Sequence, residues 1–503
     1  MRIDAFFAVD LAVIALYFII IIFVGIKFGE KEDNLADFSL GGRSIPWLAV
    51  LASIIAAETS AATFLGTPGE GFKLLNYTYL QILIGTVIGR VIVAFLFIKP
   101  FYDLNVFSIY EYLGVRFGPL TRKAASATFL VTRVLASGAR LYVAAIILAV
   151  GFTLHFGALS ATETLLVYIA AIVVITIITA IYTSVGGIKA VVWTDCIQAT
   201  VMLGGALGAI GVLVAVMPQG FKSIVDFYSS RPMPLFLSGT TEGASLNANL
   251  LAIATSEYTI WAALLGSTFT TLATHGTDQD MVQRMLTAND YQKSRLSLIL
   301  SGLADLPIGL IFLTIGILIH IFYQQSPDPS LPVKNSEVFA YFILTQVPVG
   351  LRGLLVAGIF ATAMGSLSAA LNALATSTTR DFFTESAQAH ASVKMAQKFT
   401  YLYGLLTIVV ASATAYFVIS QPQSRIIPIV LGIFGYTYGS LLGVFLLGIL
   451  SKRGSDRGNI IAMIVGAIAV VCLPQLAFPW RIMVGSLTTI FAGMLFKTTQ
   501  KAP

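Results

Sequence analysis

The sequence predicts an all-α, polytopic membrane protein, and three observations carry that prediction. Of 503 residues, 57% are hydrophobic and only 11% charged, whereas a soluble domain carries roughly 45–50% apolar and about 25% charged residues. A soluble chain of this length would split into roughly three domains, each needing a charged surface, and the charges to coat them are missing. Stretches such as 11–24, 165–180 and 409–419 are apolar on every helical face, which leaves no side for water.

A helix needs about 20 residues to cross the hydrocarbon core. That ruler places about thirteen spans near 8–28, 46–72, 76–98, 123–152, 164–183, 190–217, 247–272, 295–323, 351–378, 398–419, 426–449, 458–475 and 478–496. No segment remains for a soluble domain. The segments 218–246 and 324–350 carry Pro, Ser and Asn and have room for short helices, and 380–397 reads as an ordinary cytoplasmic loop. The first apolar segment contains Asp10 and lacks an A-x-A cleavage site, so it reads as a retained helix rather than a signal peptide.

Direction follows from Lys and Arg in alternate loops. One set of loops holds 19 of them, among them Lys27, Lys31, Arg43, Arg116, Arg122, Arg284, Arg380, Arg453 and Lys501; the other set holds 8, including Arg2, Lys73, Arg231, Arg352 and Arg425. The richer set is expected in the cytoplasm, with the N-terminus outside and the C-terminus inside. The net charge of +6 therefore reflects membrane orientation, not affinity for nucleic acid. Cys196 and Cys472 both lie in apolar stretches, where packing is the expected role. Four histidines without a Cys/His cluster argue against zinc or haem.

Charge at membrane depth is costly and is read first as functional. Glu58, Arg90, Arg133, Arg140, Asp195, Glu257 and Asp305 fall inside or near the assigned spans. For Arg90, Glu257 and Asp305 the plainer reading is a snorkelling side chain or a structural ion pair. Glu58 opens the string Glu58-Thr59-Ser60 in the middle of an apolar span. Neighbours on a helix point about 100° apart, so some of these groups must meet water, a ligand or an interrupted backbone. Interrupted backbone at mid-depth is tolerated where it lines a cavity. The glycines and proline at Gly66, Pro68, Gly69 and Gly71 then read as the end of that span.

Arg133 and Arg140 are two turns apart and share one face of the fourth span. Arginine suits bidentate recognition of a carboxylate, which is either the solute's or that of Glu58. In the ninth span, Thr362, Gly365, Ser366 and Ser368 fit tight helix packing. They also fit oxygen ligation of a small cation beside carbonyls freed by a broken helix.

Five strings then resemble the sodium/solute symporter family: GGRSIPW, AAETSAATFLGTPG, YTSVGGIKAVVWTDCIQ, DQDMVQR and the ninth-span string FATAMGSLSAALNALATSTTRD. The resemblance covers essentially the whole chain. It implies a LeuT-like fold with two inverted five-helix repeats, 46–217 and 247–449, flanked by 1–45 and 450–503. It also implies a non-enzymatic secondary transporter of the cell (plasma or inner) membrane. Such a protein moves a sugar, a sialic acid or other carboxylate, or an amino acid inward with sodium by alternating access, in contact with lipid and as a monomer.

Carried over position by position, the resemblance puts sodium against the carbonyls of Ala56 and Thr59, the carbonyl of Thr362 and the hydroxyl of Ser366. The family's second serine is Gly365 here, so one hydroxyl ligand is missing. Asp195 and Ser368 match a further sodium site that Gly365 and Ala369 do not complete, and one sodium is expected rather than two. The solute positions become Glu58, Ser60, Thr63, Tyr79, Thr271 and Thr274, with Arg133 and Arg140 one turn either side of Ala136, where the sialic acid branch keeps its arginine. Proton coupling through Glu58 and a non-transporting sensor or channel are the two alternatives on the same scaffold.

Overall fold

The computed structural model describes residues 5–29, 34–383, 390–421 and 426–497; among these the chain is helical with no named strand. Arg2, Lys31, Arg425 and Lys501, used in the orientation count, lie outside the described residues, as does 384–389 within the expected 380–397 loop. The principal helices are α1 (Ala5–Gly29), α2 (Trp47–Glu58), α3 (Ala61–Leu74), α4 (Leu80–Leu96), α5 (Pro119–Phe156), α6 (Ala161–Val216) and α7 (Thr268–Gly276). They continue with α8 (Gln279–Met285), α9 (Tyr291–Gln325), α10 (Leu351–Thr378), α11 (His390–Ser420), α12 (Ile426–Leu450), α13 (Asp456–Val471) and α14 (Phe478–Met494).

Among the described residues, eight helices are long and apolar enough to cross a membrane, nine with the bent pair α2 and α3. At 1.5 Å per residue, the 56 residues of α6 would reach about 84 Å, far beyond one crossing. The helix is broken at Gly187, whose φ of 51° and ψ of −150° are non-helical. A Cβ there would lie 2.6 Å from Phe38 O, so glycine meets both the backbone geometry and the close approach. The two spans expected at 164–183 and 190–217 are the arms of this one elbowed helix. With α6 counted twice and the shorter α7, α13 and α14 included, the bundle holds about thirteen spans, in approximate agreement with expectation.

Two expectations need correction. The seventh span was expected at 247–272, but Leu246–Thr255 is a separate helix with no buried residue. The membrane segment is the π-helical turn Ala262–Ser267 continued by α7. Glu257 therefore sits in the connection before this turn and not within a helix. Nor do Gly66, Pro68, Gly69 and Gly71 end the second span: α3 runs through them to Leu74. The small residues serve approach instead, since a Cβ on Gly71 would lie 2.3 Å from Leu313 O on α9.

The interior is built around α10, buried along nearly its whole length. It packs against α1, α5 and α6, while α9 packs against α2, α3 and α4, and α12 against α5 and α14. Leu16, Ile19 and Phe23 on α1 and Leu405, Val409 and Phe417 on α11 are exposed, as apolar side chains facing lipid would be. Asp10 fastens α1 to the start of α10. Its Oδ1 accepts from Gly350 N at 2.7 Å and Gly353 N at 2.9 Å, and its Oδ2 accepts from Arg352 Nε at 2.5 Å. A carboxylate at orphan N–H groups of a helix start satisfies donors that the helix itself cannot.

Candidate functional site

The site starts from a fault in one helix. Between α2 and α3 the axis turns by 61°, at Thr59 and Ser60 as the polar string foretold. Ser60 N–H bonds Glu58 O at 2.9 Å, so it no longer reaches Ala56 O; Thr63 N–H bonds Ser60 O at 2.9 Å and not Thr59 O. The carbonyls of Ala56 and Thr59 thus lose the donors a continuous helix would supply. A backbone oxygen at membrane depth needs another partner.

Facing the break, α10 packs on α2 and carries Thr362 and Ser366, both buried. Thr362 Oγ1 donates to Ile359 O at 2.8 Å and Ser366 Oγ donates to Ala363 O at 3.1 Å. Each hydroxyl spends its hydrogen on its own helix and keeps lone pairs free. Oxygen donors without N or S partners suit a hard monovalent cation. The four residues of the expected sodium site therefore lie on two helices in contact.

Glu58, the last residue of α2, is compensated from two other helices. Its Oε1 accepts from Arg90 Nη2 of α4 at 2.5 Å and from His275 Nε2 of α7, while its Oε2 has no hydrogen-bond partner. Arg90 is 1% exposed; it also bonds Asp305 Oδ2 on α9 at 2.5 Å and Ser301 Oγ at 2.9 Å. The structural ion pair expected for Arg90 and Asp305 is present, and snorkelling is not, because the guanidinium is sealed from solvent.

Arg133 and Arg140 share a face of α5 but not a role. Arg133 is buried and paired with Asp278 Oδ2 at 2.9 Å and with Asp280 Oδ2. Tyr438 Oη of α12 donates to the same Asp278 oxygen at 2.8 Å. The ladder continues through Arg284, whose Nη1 lies 2.5 Å from Asp280 Oδ1 and whose Nη2 lies 3.3 Å from Asp195 Oδ2. Arg284 is 0% exposed, so its place in the loop count is corrected: it is an interior charge. Arg140 is half-buried and stacks on the Phe434 ring at 5.2 Å. Its Nε has no partner, and among the described residues no carboxylate forms an ion pair with it. It lies within electrostatic reach of Glu58, Asp278 and Arg133.

Asp195 is fully buried on the second arm of α6, where Ser53 Oγ donates to its Oδ2 at 2.5 Å. Its Oδ1 is unpartnered, as are both side-chain polar atoms of the neighbouring Gln198. A Cβ at Gly365 would lie 2.5 Å from Gln198 Oε1 and 3.3 Å from Asp195 Oδ1. Gln198 thus occupies the space beside Gly365, and Ser368 Oγ turns to Gly365 O at 3.1 Å.

The remaining expected solute residues divide. Ser60 is buried at the break, and Thr63 is half-buried one turn on. Tyr79 is half-buried before α4, with its ring edge-on to Tyr258 at 5.6 Å. Thr271 is turned into the helix interface, since a Cβ on Gly89 of α4 would lie 2.6 Å from Thr271 Cβ. Thr274 is half-buried and bonds Thr270 O at 3.1 Å and His275 Nδ1 at 3.0 Å.

Sequence reasoning missed His275, taken only as one of four scattered histidines. It also passed over Asp278 and Asp280, although both stand in the quoted string DQDMVQR. The signal was there: two carboxylates and an arginine within seven residues at the end of a span need partners of opposite charge.

Comparison with known proteins places this geometry. The family model of the sodium:solute symporter family matches residues 38–466. A sodium/sialic acid symporter of Proteus mirabilis is 26% identical, covering 98% of this chain and 96% of that protein. The human sodium-coupled monocarboxylate transporter 1 is 28% identical over 92% of this chain and 73% of its own length. A solved substrate-bound, outward-open state of a Na+-coupled sialic acid symporter superposes with a TM-score of 0.81 at 25% identity, covering 97% of each chain. The helical architecture, the helix broken beside α10 and the match along the chain agree: this protein belongs to the sodium:solute symporter family and has its LeuT-like fold.

Proposed function

We propose that this symporter takes up an acidic organic solute, holding its carboxylate on Arg140 and its hydroxyl or amide hydrogens on Glu58 Oε2. The observation that carries this reading is the unpaired Arg140 guanidinium within electrostatic reach of the broken helix. A charge at membrane depth without a counter-ion is expensive, and a solute carboxylate supplies one in the bidentate geometry arginine favours. The relatives named for sialic acid and monocarboxylates act on solutes that share that group. Arg133 is already paired, so it serves the scaffold and leaves Arg140 to the solute.

In this reading one sodium binds at Ala56 O, Thr59 O, Thr362 O and Ser366 Oγ. Asp195 and Ser368 are the remnant of a further site that Gln198 now fills. The chain works as a monomer in the cell membrane, N-terminus outside and C-terminus in the cytoplasm, with 46–217 and 247–449 as inverted repeats rocking around the midplane site. The test is uptake into sealed proteoliposomes of N-acetylneuraminate, pyruvate, galactose and proline, with an inward sodium gradient or with choline in its place. Accumulation of an acid with sodium, lost in R140A, supports the reading. Equal uptake in choline rejects sodium coupling, and a preference for galactose rejects the acidic solute.

A further inference from the structure

We propose that α8 staples the two helices of the sodium site together at one end of the bundle, and that Ser53 and Asn372 are the positioning residues that couple this closure to sodium. The proposal rests on the sodium reading above for its cause, while its geometry stands without it. Ser53 lies on α2 one turn before Ala56, and Asn372 lies on α10 six residues beyond Ser366. The start of α10 is fastened to Asp10 near the start of α1, and α2 begins after α1 has ended. The last turns of α10 and the first turns of α2 therefore share one end of the bundle, the cytoplasmic end in the orientation proposed above.

Both helices reach α8 through neighbouring residues. Arg284 Nε donates to Ser53 Oγ at 2.8 Å, and Ser53 Oγ donates to Asp195 Oδ2 at 2.5 Å. A guanidinium only donates and a carboxylate only accepts, so a single hydroxyl of α2 joins α8 to α6. Gln283, the residue before Arg284, donates from Nε2 to Asn372 Oδ1 at 2.6 Å and to Ser39 O at 2.7 Å. Ser53 and Asn372 are 0% exposed, and all seven residues of α8 are buried. Water offers these groups no substitute partner, so parting them in place leaves a buried donor unmade.

Sodium and α8 thus fasten the same pair of helices at two depths. The ion draws the carbonyls of Ala56 and Thr59 on α2 toward Ser366 on α10; α8 draws Ser53 of α2 and Asn372 of α10 onto one short helix. Ser53 and Ala56 are about 4.5 Å apart along the axis of one continuous helix, so a tilt of α2 at one fastener is felt at the other. Two interactions that favour one arrangement favour each other. Sodium closes α8 over this end, and closed α8 tightens sodium. Loss of the ion lets α2 turn away, frees Arg284 Nε and opens the end for solute release. Arg133 of α5 and Tyr438 of α12 hold Asp278 just before α8, but neither helix carries a ligand of the proposed sodium site.

The test needs no solute. The probe is saturating sodium against choline at equal ionic strength, and the readout is hydrogen–deuterium exchange of the full chain in nanodiscs. In the parent, sodium should slow exchange in two segments, 56–63 at the break and 279–287 across α8, the second by about fivefold or more. S53A should keep the protection of 56–63 and lose that of 279–287, and S53T, which retains the hydroxyl, should recover it. A purely structural loss would instead raise exchange of α8 in both salts and leave their ratio intact. Should S53A fail to fold, N372A reads the same link from α10, since Gln283 keeps its bond to Ser39 O. Protection of 56–63 with no response of α8 in the parent overturns the proposal, as does sodium protection of α8 undiminished in S53A and N372A. No protection of either segment rejects the sodium site itself, and the coupling falls with it.

Discussion

Arg133 Nη1 lies 2.9 Å from Asp278 Oδ2, a buried pair that ties α5 to the start of α8. Asp278 also caps α8, its side chain accepting from Asp280 N, and receives the Tyr438 hydroxyl. Replacing Arg133 leaves Asp278 buried without a cation and leaves Asp280 to Arg284 alone. The expected outcome for R133A is a loss of about 3–5 kcal/mol of stability, seen as a sharply lower unfolding temperature in detergent or as failure to insert. A variant that keeps the parent unfolding temperature and loses only acid uptake would move Arg133 into the solute site.

Arg140 makes the opposite case. It has no ion pair to lose, so R140A should fold, its chief structural loss being the stack on Phe434, worth about 0.5–2 kcal/mol. Acid binding should weaken by about 100-fold or more, as removal of a charged, desolvated partner does, while R140K recovers part of it without the bidentate geometry. Unchanged affinity of R140A for every acid tested would remove the carboxylate clamp.

The broken helix was legible because consecutive polar residues at mid-span cannot share one face, and Thr59 and Ser60 are where the turn occurs. The polytopic fold was legible for a related reason, since composition alone denies most helices a wet side. What failed to show was pairing across the bundle. Arg284 looks like a loop charge by its position near a span end, and only packing reveals that it is sealed against Asp195 and Asp280. His275 is one polar residue in a threonine-rich helix, and its meaning comes from Glu58, 217 positions away. The span expected to begin at 247 misled because Leu246–Thr255 is apolar yet is a separate ten-residue helix with no buried residue, a break that hydropathy does not draw.

Sodium affinity should depend on Ser366 more than stability does. Its hydroxyl donates within α10, so S366A forfeits one local hydrogen bond, costing about 0.5–1.5 kcal/mol. The half-saturating sodium concentration should rise about tenfold, the equivalent of ~1.4 kcal/mol. Uptake measured against sodium in S366A decides this, and a curve superposing on that of the parent would exclude Ser366 from the site. The parent curve itself should be hyperbolic, with a Hill coefficient of about 1, because Gln198 stands where a further cation would need oxygen from Gly365's position. Clear sigmoidicity would argue for a second sodium.

The two halves of the site are held in register by a contact with no side chain in it. Gly316 of α9 meets Pro68 of α3 so closely that a Cβ there would lie 2.0 Å from Pro68 O and 2.7 Å from Phe72 N. Both are backbone atoms of the helix that continues from the break, so neither can swing aside as a side-chain end would. G316A should therefore force α3 and α9 apart. Overpacking of this kind costs about 1–3 kcal/mol, and here it is transmitted to Ser60 and to the Asp305 arm of the Arg90 cluster. The expected result is a lower unfolding temperature together with weaker solute affinity. G365A gives the contrast: its nearest neighbour is the end of the Gln198 side chain, which can rotate away. Comparing the two variants by thermal unfolding separates them, and a G316A protein as stable as G365A would show that α3 and α9 are not locked at that crossing.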